Sequence, residues 1–352
     1  MNLSVFFPRV FLSLAASLVT GCATRSVPEQ HFQSAESVVL IAENPARLAF
    51  SPRPRPALRV RSTYRDHLPT TLHYEEGRDF VADHERGEIR RTAQSRIPDF
   101  RTNVLFGVDD FDHSKFPGYG NNPFFVYVDY AAKQKTDWIK QPSQVEFLPR
   151  TREKLQRGDP VKIIAFGDSI TAGGDATEPG LIFWQRYADA LQEKYPKAKI
   201  EAINSATGGD RTGDGLTRFQ EKILNQKPDL VLIGFGMNDH NIAGFGTPLT
   251  NFTNNLAIMI DRIRPETDAE IILYSTFPPN PKWHFGSHNM EAYAQATEQI
   301  ALENQCAFAD VYRNWLTIES KKKPEDLLAN NINHPNDFGH WIYFEVLQRL
   351  GL

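Results

Sequence analysis

Hydrophobic and polar residues alternate in two different ways along this chain. Over residues 48–159 the apolar positions come in short runs with a period near two, divided by Pro, Gly and Asp: Ala57-Leu58-Arg59-Val60-Arg61, Phe124-Phe125-Val126-Tyr127-Val128 and Gln144-Val145-Glu146-Phe147. That period predicts strands, because successive side chains of a strand point to opposite faces. No long stretch here repeats apolar residues at helical spacing, so residues 48–159 are expected to form a β-sandwich or jelly-roll domain. From Pro160 the pattern changes. Short apolar runs at 161–166, 200–204, 230–235, 271–275 and 307–311 suit strands covered on both faces. Between them, residues 183–195, 216–225, 252–263 and 290–303 repeat apolar positions at helical spacing. Strand alternating with helix predicts a parallel sheet joined by right-handed crossovers over residues 160–352. In such sheets ligands sit beyond the carboxyl ends of the strands, which directs attention to the loops there.

The amino terminus reads as a leader. Residues 1–21 carry one charge, Arg9, followed by an apolar stretch over 10–19. That stretch is about half of what a spanning helix needs and sits where a secretory apolar region sits. Val19-Thr20-Gly21-Cys22 resembles a bacterial lipobox, which implies that Cys22 becomes the lipidated new N-terminus. Acyl chains on Cys22 would hold the protein to a membrane, on its periplasmic or cell-surface side. Residues 22–47 are mixed in polarity without period and are expected to be a tether. Cys306 lies in the apolar run Cys306-Ala307-Phe308-Ala309 and is expected to be a buried, inert thiol.

Composition narrows the class. The chain has 352 residues, 41% apolar and 23% charged, which excludes a disordered chain, a collagen-like repeat and a polytopic membrane protein. Lys plus Arg number 39 against 43 Asp plus Glu, so a net charge of −4 supplies no field for gathering nucleic acid. The balance is uneven. Residues 44–160 carry 20 basic against 16 acidic groups, and residues 161–352 carry 17 against 24. The tract Pro52-Arg53-Pro54-Arg55-Pro56 is read as an extended edge kept soluble by its charges.

Four loops carry candidate chemistry. Phe166-Gly167-Asp168-Ser169-Ile170-Thr171 places a serine just past the first strand of the second half, where its hydroxyl can act as a nucleophile. The sequence G-x-S-x-G of a strained nucleophile elbow occurs nowhere in the chain. Asn204-Ser205-Ala206-Thr207-Gly208-Gly209-Asp210 follows the second strand, and its glycines allow backbone amides to approach a ligand. Gly234-Phe235-Gly236-Met237-Asn238-Asp239 follows the third, and Asn238 offers an amide donor to a developing oxyanion. Near the carboxyl terminus, Asn331-Ile332-Asn333-His334-Pro335-Asn336-Asp337-Phe338-Gly339-His340 places His334 before a proline suited to the first position of a helix.

These four loops, in this order and spacing, resemble those of the SGNH hydrolases, the GDSL-like esterase superfamily. The resemblance implies a flavodoxin-like three-layer α/β/α catalytic domain with a parallel sheet over residues 160–352, preceded by the β-rich domain. It implies Ser169 as nucleophile and His334 as general base, with the amides of Gly209 and Ser169 and the side chain of Asn238 as oxyanion hole. It requires no cofactor and no metal. A secreted, lipid-anchored esterase with a β domain ahead of it further resembles bacterial carbohydrate esterases, which implies acylated glycans or small esters, acetyl esters above all, as substrates. A lipase or arylesterase would share every one of these residues, and a non-catalytic glycan-binding surface protein is the rival outside the enzymes.

One position departs from the family pattern. An aspartate usually stands three residues before the histidine to orient the imidazole, and here that position is Asn331. An asparagine carbonyl accepts an imidazole N–H but brings no negative charge. The alternatives are a Ser169–His334 dyad or a carboxylate from elsewhere, and by sequence Asp326 and Asp337 are the nearest. His284 and His288, four residues apart, fall in a region rich in Pro and Gly and are not expected to bind metal as a helical pair would. Asp109, Asp110 and Asp112 lack the rest of a calcium loop and are expected to be a solvated turn. Trp283 stands where a sugar ring could stack, though filling its own loop's core is the plainer role.

Overall fold

The computed structural model describes residues 31–133 and 138–352; the leader and Cys22 lie outside them. The described residues of the first half form seven strands: β1 (Phe32–Val39), β2 (Ala46–Arg47), β3 (Arg59–Arg61), β4 (His73–Tyr74), β5 (Phe80–Asp83), β6 (Glu88–Arg91) and β7 (Phe125–Ala131). They form two antiparallel sheets, in the order β1-β7-β3-β4 and β2-β6-β5. Most are too short to cover a face unaided. β7 is buried along its whole length because it lies between β1 and β3.

Residues 32–47, expected to be part of a tether, are instead built into this half as β1 and β2. The alternation is hidden because β1 buries polar groups: Gln33, Glu36 and Ser37 are all within the interior. Ala35 takes a left-handed φ of 51° where the register with β7 shifts, and its N–H donates to Asp129. The Glu36 carboxylate accepts from Ala49 N at 2.7 Å, from the Tyr130 hydroxyl and from Lys322 Nζ at 2.6 Å. The side chains of Glu36 and Lys322 are both fully buried. A strand specified by such long-range partners leaves no local period to read.

The connection to the second half also differs from expectation. Residues 144–147, expected to be a strand, end in a 3-10 turn over Val145–Phe147. At its start the Gln144 backbone N–H donates to Leu350 O and its side chain accepts from Phe308 N, tying the segment to the second half rather than to a strand of the first. A helix follows, α1 (Pro149–Arg157), with proline in its first turn and Gly158 closing it at a left-handed φ of 81°. Its first amides are capped by a distant carboxylate, Glu270, which accepts from Arg150 N and Thr151 N.

The second half follows the expected alternation closely: β8 (Pro160–Gly167), α2 (Phe183–Lys194), β9 (Lys199–Asn204), α3 (Thr212–Lys222), β10 (Leu230–Gly234), α4 (Leu249–Glu266), β11 (Glu270–Tyr274), α5 (Met290–Glu303), β12 (Ala307–Ala309), α6 (Val311–Glu319) and α7 (Asp337–Gln348). All sheet pairings here are parallel, in the order β12-β11-β10-β8-β9. Central β10 and β11 are wholly buried, as their unbroken apolar sequences require, while edge strand β9 is half exposed. The helices pack as two groups, α2 with α7 and α6, and α3 with α4 and α5, giving the three-layer α/β/α arrangement. One continuous apolar core runs from Val38 and Leu40 through both halves to Leu352. The halves are therefore distinct in architecture but not in interior.

The buried Glu36–Lys322 pair ties the first strand to the segment ahead of His334. Replacing Glu36 by Gln keeps the size and leaves the ammonium unpaired, which should cost about 3–5 kcal/mol in urea unfolding. Replacing Arg59, paired with Asp66 in solvent, should produce no measurable change.

Candidate active site

The sheet order creates the site. From β8 the chain goes to β9 on one side and later to β10 on the other, so the carboxyl end of β8 is the topological switch point where a crevice opens. Gly167 ends β8 in register with Gly234 at the end of β10. A Cβ on Gly167 would lie 2.1 Å from Gly234 O and 2.3 Å from Thr171 Oγ1, and one on Gly234 would lie 1.9 Å from the Tyr274 ring. Only glycine fits at either place. The turn that follows is locked by Tyr274 Oη and Thr171 Oγ1 at 2.6 Å and by Trp184 Nε1 donating to Thr171 O at 2.8 Å.

Ser169 emerges half-buried from this turn. Ala172 N donates to Asp168 O and Gly174 N to Ser169 O, so the chain curls once behind the hydroxyl. Asp168 is buried and accepts from Ile170 N at 2.9 Å. Burial pushes its carboxyl up to about 7, against the pull of that amide and of His334.

His334 comes from the other end of the sequence, and its loop is held by backbone contacts. Asn330 Oδ1 accepts from the amides of Ile332, Asn333 and His334 at 2.9–3.0 Å, and Ala329 N donates to His334 O. Helix α7 begins later than the proline suggests. Asn336 is its cap, accepting from Gly339 N, and Pro335 precedes the cap in a bridge to Leu328. His334 Nε2 lies 2.9 Å from Ser169 Oγ, and Nδ1 lies 2.8 Å from Asp175 Oδ2.

Asp175 is the residue that sequence reasoning did not find. It follows Ser169 by six positions in Gly173-Gly174-Asp175, where glycines and an aspartate read as an ordinary turn. Asn331 does not reach the imidazole: it is buried at a left-handed φ of 59°, and its backbone and side-chain oxygens accept from Asn280 Nδ2 at 3.0 and 3.2 Å. The other nearby carboxylates are also engaged elsewhere. Asp326 accepts from Val39 N and Lys323 N, and Asp337 from the amide and hydroxyl of Thr177.

The two remaining loops lie at the same edge. A Cβ on Gly208 would come 3.9 Å from Ser169 Cβ, which puts the glycine loop beside the hydroxyl. Gly209 adopts φ of 81° and is exposed. Asn238 is half-buried and spends one amide hydrogen on Asp210 O at 3.0 Å, which joins this loop to the previous one. Its neighbour Asp239 is buried and holds the start of α3 through Thr212. A hydroxyl, an imidazole and a carboxylate in line are the groups that activate a serine for attack on an acyl carbon.

The side candidates resolve into structural roles. Trp283 is buried with Leu105, Phe111 and Ile332, and its Nε1 donates to His113 at 3.1 Å, so it fills the seam between the halves. Asp110 pairs with His284, Asp109 with Lys282, and Asp112 accepts from Ser114. Cys306 is buried, and burial pushes its thiol up to about 11. Among the described residues no three His, Cys, Asp or Glu gather in a way that could hold a metal ion.

Comparison with known proteins places the chain in a family. The sequence profile of the GDSL-like lipase/acylhydrolase family matches residues 165–342. The chain is similar to the uncharacterized lipoprotein YqeF of Bacillus subtilis (strain 168), at 32% identity over 53% of this chain and 87% of the relative. It is also similar to an acetylxylan esterase of Geobacillus stearothermophilus, at 24% identity over 55% of this chain and 95% of that one. Among solved structures, a two-domain esterase active on acetylated mannans superposes with a TM-score of 0.50 at 19% identity. That match covers 59% of this chain and only 54% of the other, and it speaks to fold. The profile spans all four loops, and the chain belongs to the GDSL-like lipase/acylhydrolase family as a serine ester hydrolase.

Proposed function

We propose that this protein removes small acyl groups, chiefly acetyl, from carbohydrate esters through an acyl-enzyme on Ser169. The observation that carries the reading is the 2.9 Å approach of His334 Nε2 to Ser169 Oγ at the carboxyl edge of the sheet. His334 takes the hydroxyl proton as Oγ attacks the ester carbonyl carbon, and the carbonyl electrons move onto oxygen. The amides of Gly209 and Ser169 and the second amide hydrogen of Asn238 hold that oxyanion. Collapse breaks the bond to the alcohol, which leaves with the proton from His334. Water then repeats the sequence on the acyl-enzyme and frees the carboxylic acid.

Carbohydrate acetyl esters are supported by the similarity to an acetylxylan esterase. The leader and the lipobox-like Val19-Thr20-Gly21-Cys22 support export and a lipid anchor on Cys22, as does the similarity to a lipoprotein. The enzyme would then work in the periplasm or at the cell surface, on glycan within reach of the membrane.

Two measurements test this. With an aryl acetate, Ser169→Ala should lower kcat by about 10⁴-fold or more, and Asn238→Ala by about 10²- to 10³-fold. Equal turnover by the wild type and Ser169→Ala would overturn the mechanism. With acetylated xylan, the wild type should release acetate while leaving long-chain acyl esters nearly untouched; cleavage of long-chain esters alone would make it a lipase.

A further inference from the structure

We propose that Asp175 is the residue that positions the imidazole of His334, so that this chain carries its orienting carboxylate on the nucleophile's own loop. The inference rests on the reading of Ser169 and His334 as nucleophile and base, and assigns a role that the family pattern places three residues before the histidine.

The geometry is a line of three groups, Ser169 Oγ to His334 Nε2 at 2.9 Å and His334 Nδ1 to Asp175 Oδ2 at 2.8 Å. A carboxylate on Nδ1 selects the tautomer with its proton there, which leaves Nε2 bare to accept the serine proton. Among the described residues, His334 is the one hydrogen-bond partner of the Asp175 carboxylate. A side chain bonded to nothing else has little structural reason to sit there.

The loop is shaped for this contact. Gly173 and Asp175 both take left-handed backbone, at φ of 98° and 60°, which aspartate tolerates better than most side chains. Between them, Gly174 has no room for a Cβ, which would lie 2.9 Å from both His334 Nδ1 and Ser169 O. Two residues on, the amide and hydroxyl of Thr177 donate to Asp337 at 2.9 and 2.7 Å. Asp337 stands in the first turn of α7, three residues after His334. The orienting loop and the histidine are thus referenced to the same helix start, and their separation is set over a few residues rather than across the molecule.

Asn331 has a different task that explains why no aspartate is needed there. Its two oxygens accept from Asn280 Nδ2, while Asn280 N donates to Ile332 O at 2.7 Å. This pairing fixes the backbone that presents His334 to the loop after β11. A carboxylate at 331 would face the same amide and not the imidazole.

The side chain of Asp175 is 36% exposed and that of His334 23%. Solvent therefore screens the pair more than a buried triad, and the catalytic gain should be smaller than the roughly 10⁴-fold of a buried aspartate.

The test uses kcat, KM and thermal unfolding of the full chain on an aryl acetate. Asp175→Asn should lower kcat about 10²- to 10³-fold while KM stays within about twofold, because the interaction acts on the transition state and not on substrate binding. Asp175→Gly should lower kcat as much while the melting temperature holds or rises, since glycine relaxes the left-handed backbone. Asp175→Glu should recover part of the loss. Asn331→Ala should lower the melting temperature with kcat within about tenfold, and Asn331→Asp should not rescue Asp175→Asn. Wild-type kcat in Asp175→Asn or Asp175→Gly, with Ser169→Ala and His334→Ala both inactive, would overturn this assignment and leave the proposed function standing. Activity in Ser169→Ala would instead remove the reading beneath it.

Discussion

Gly167 and Gly234 face each other at the carboxyl ends of β8 and β10, where a methyl group on either would overlap a backbone oxygen or the Tyr274 ring. This close approach is the constraint on which the site depends. It lets two central strands end side by side at the switch point, with the turn bearing Ser169 folded tightly over β8 and the turn bearing Asn238 over β10. The aromatic ring that closes the space also reaches Thr171, so the glycine that admits Tyr274 indirectly holds the serine turn. Flexible residue types here produce a rigid edge, because the space they leave is already filled.

A serine turn needs an imidazole brought from 165 residues away, and the first half of the chain helps to hold it. Asp326, ahead of the histidine loop, accepts from Val39 N of β1, and its backbone oxygen accepts from Ser37 Oγ. Asn121 clasps the same segment through Leu328 O and Ala329 O. On the opposite side, Phe111 exchanges backbone bonds with Lys282 and His284 around buried Trp283, whose cluster includes Ile332. The β-rich half therefore works as a scaffold for the loop that carries His334, with the buried Glu36–Lys322 pair as its charged anchor.

How much of this could be read without coordinates follows from where the information lies. Strands β10 and β11 announce themselves because burial on both faces demands unbroken apolar sequence, and the helices between strands because one face of each meets the sheet. Glycine, asparagine and histidine loops were visible because special backbone and special chemistry need particular residue types. β1 was not visible, since it buries Glu36 and Ser37 through side-chain partners between 13 and 289 residues away. Helix α1 was missed for a related reason, its start being satisfied by Glu270 from a different strand.

The active site divides along the same line. The resemblance of four loops, taken in order, pointed to Ser169, Gly209, Asn238 and His334 as candidates; the first three follow β8, β9 and β10, and the last precedes α7. Which carboxylate meets the imidazole could not be read that way. Asp326, Asp337 and Asp175 are equivalent as letters, and each forms a different contact once the chain is folded: to β1, to Thr177 and to His334. A hydrogen bond of 2.8 Å is a statement about two positions in space, and residues 175 and 334 acquire theirs only when α7 and the β8 loop dock against each other.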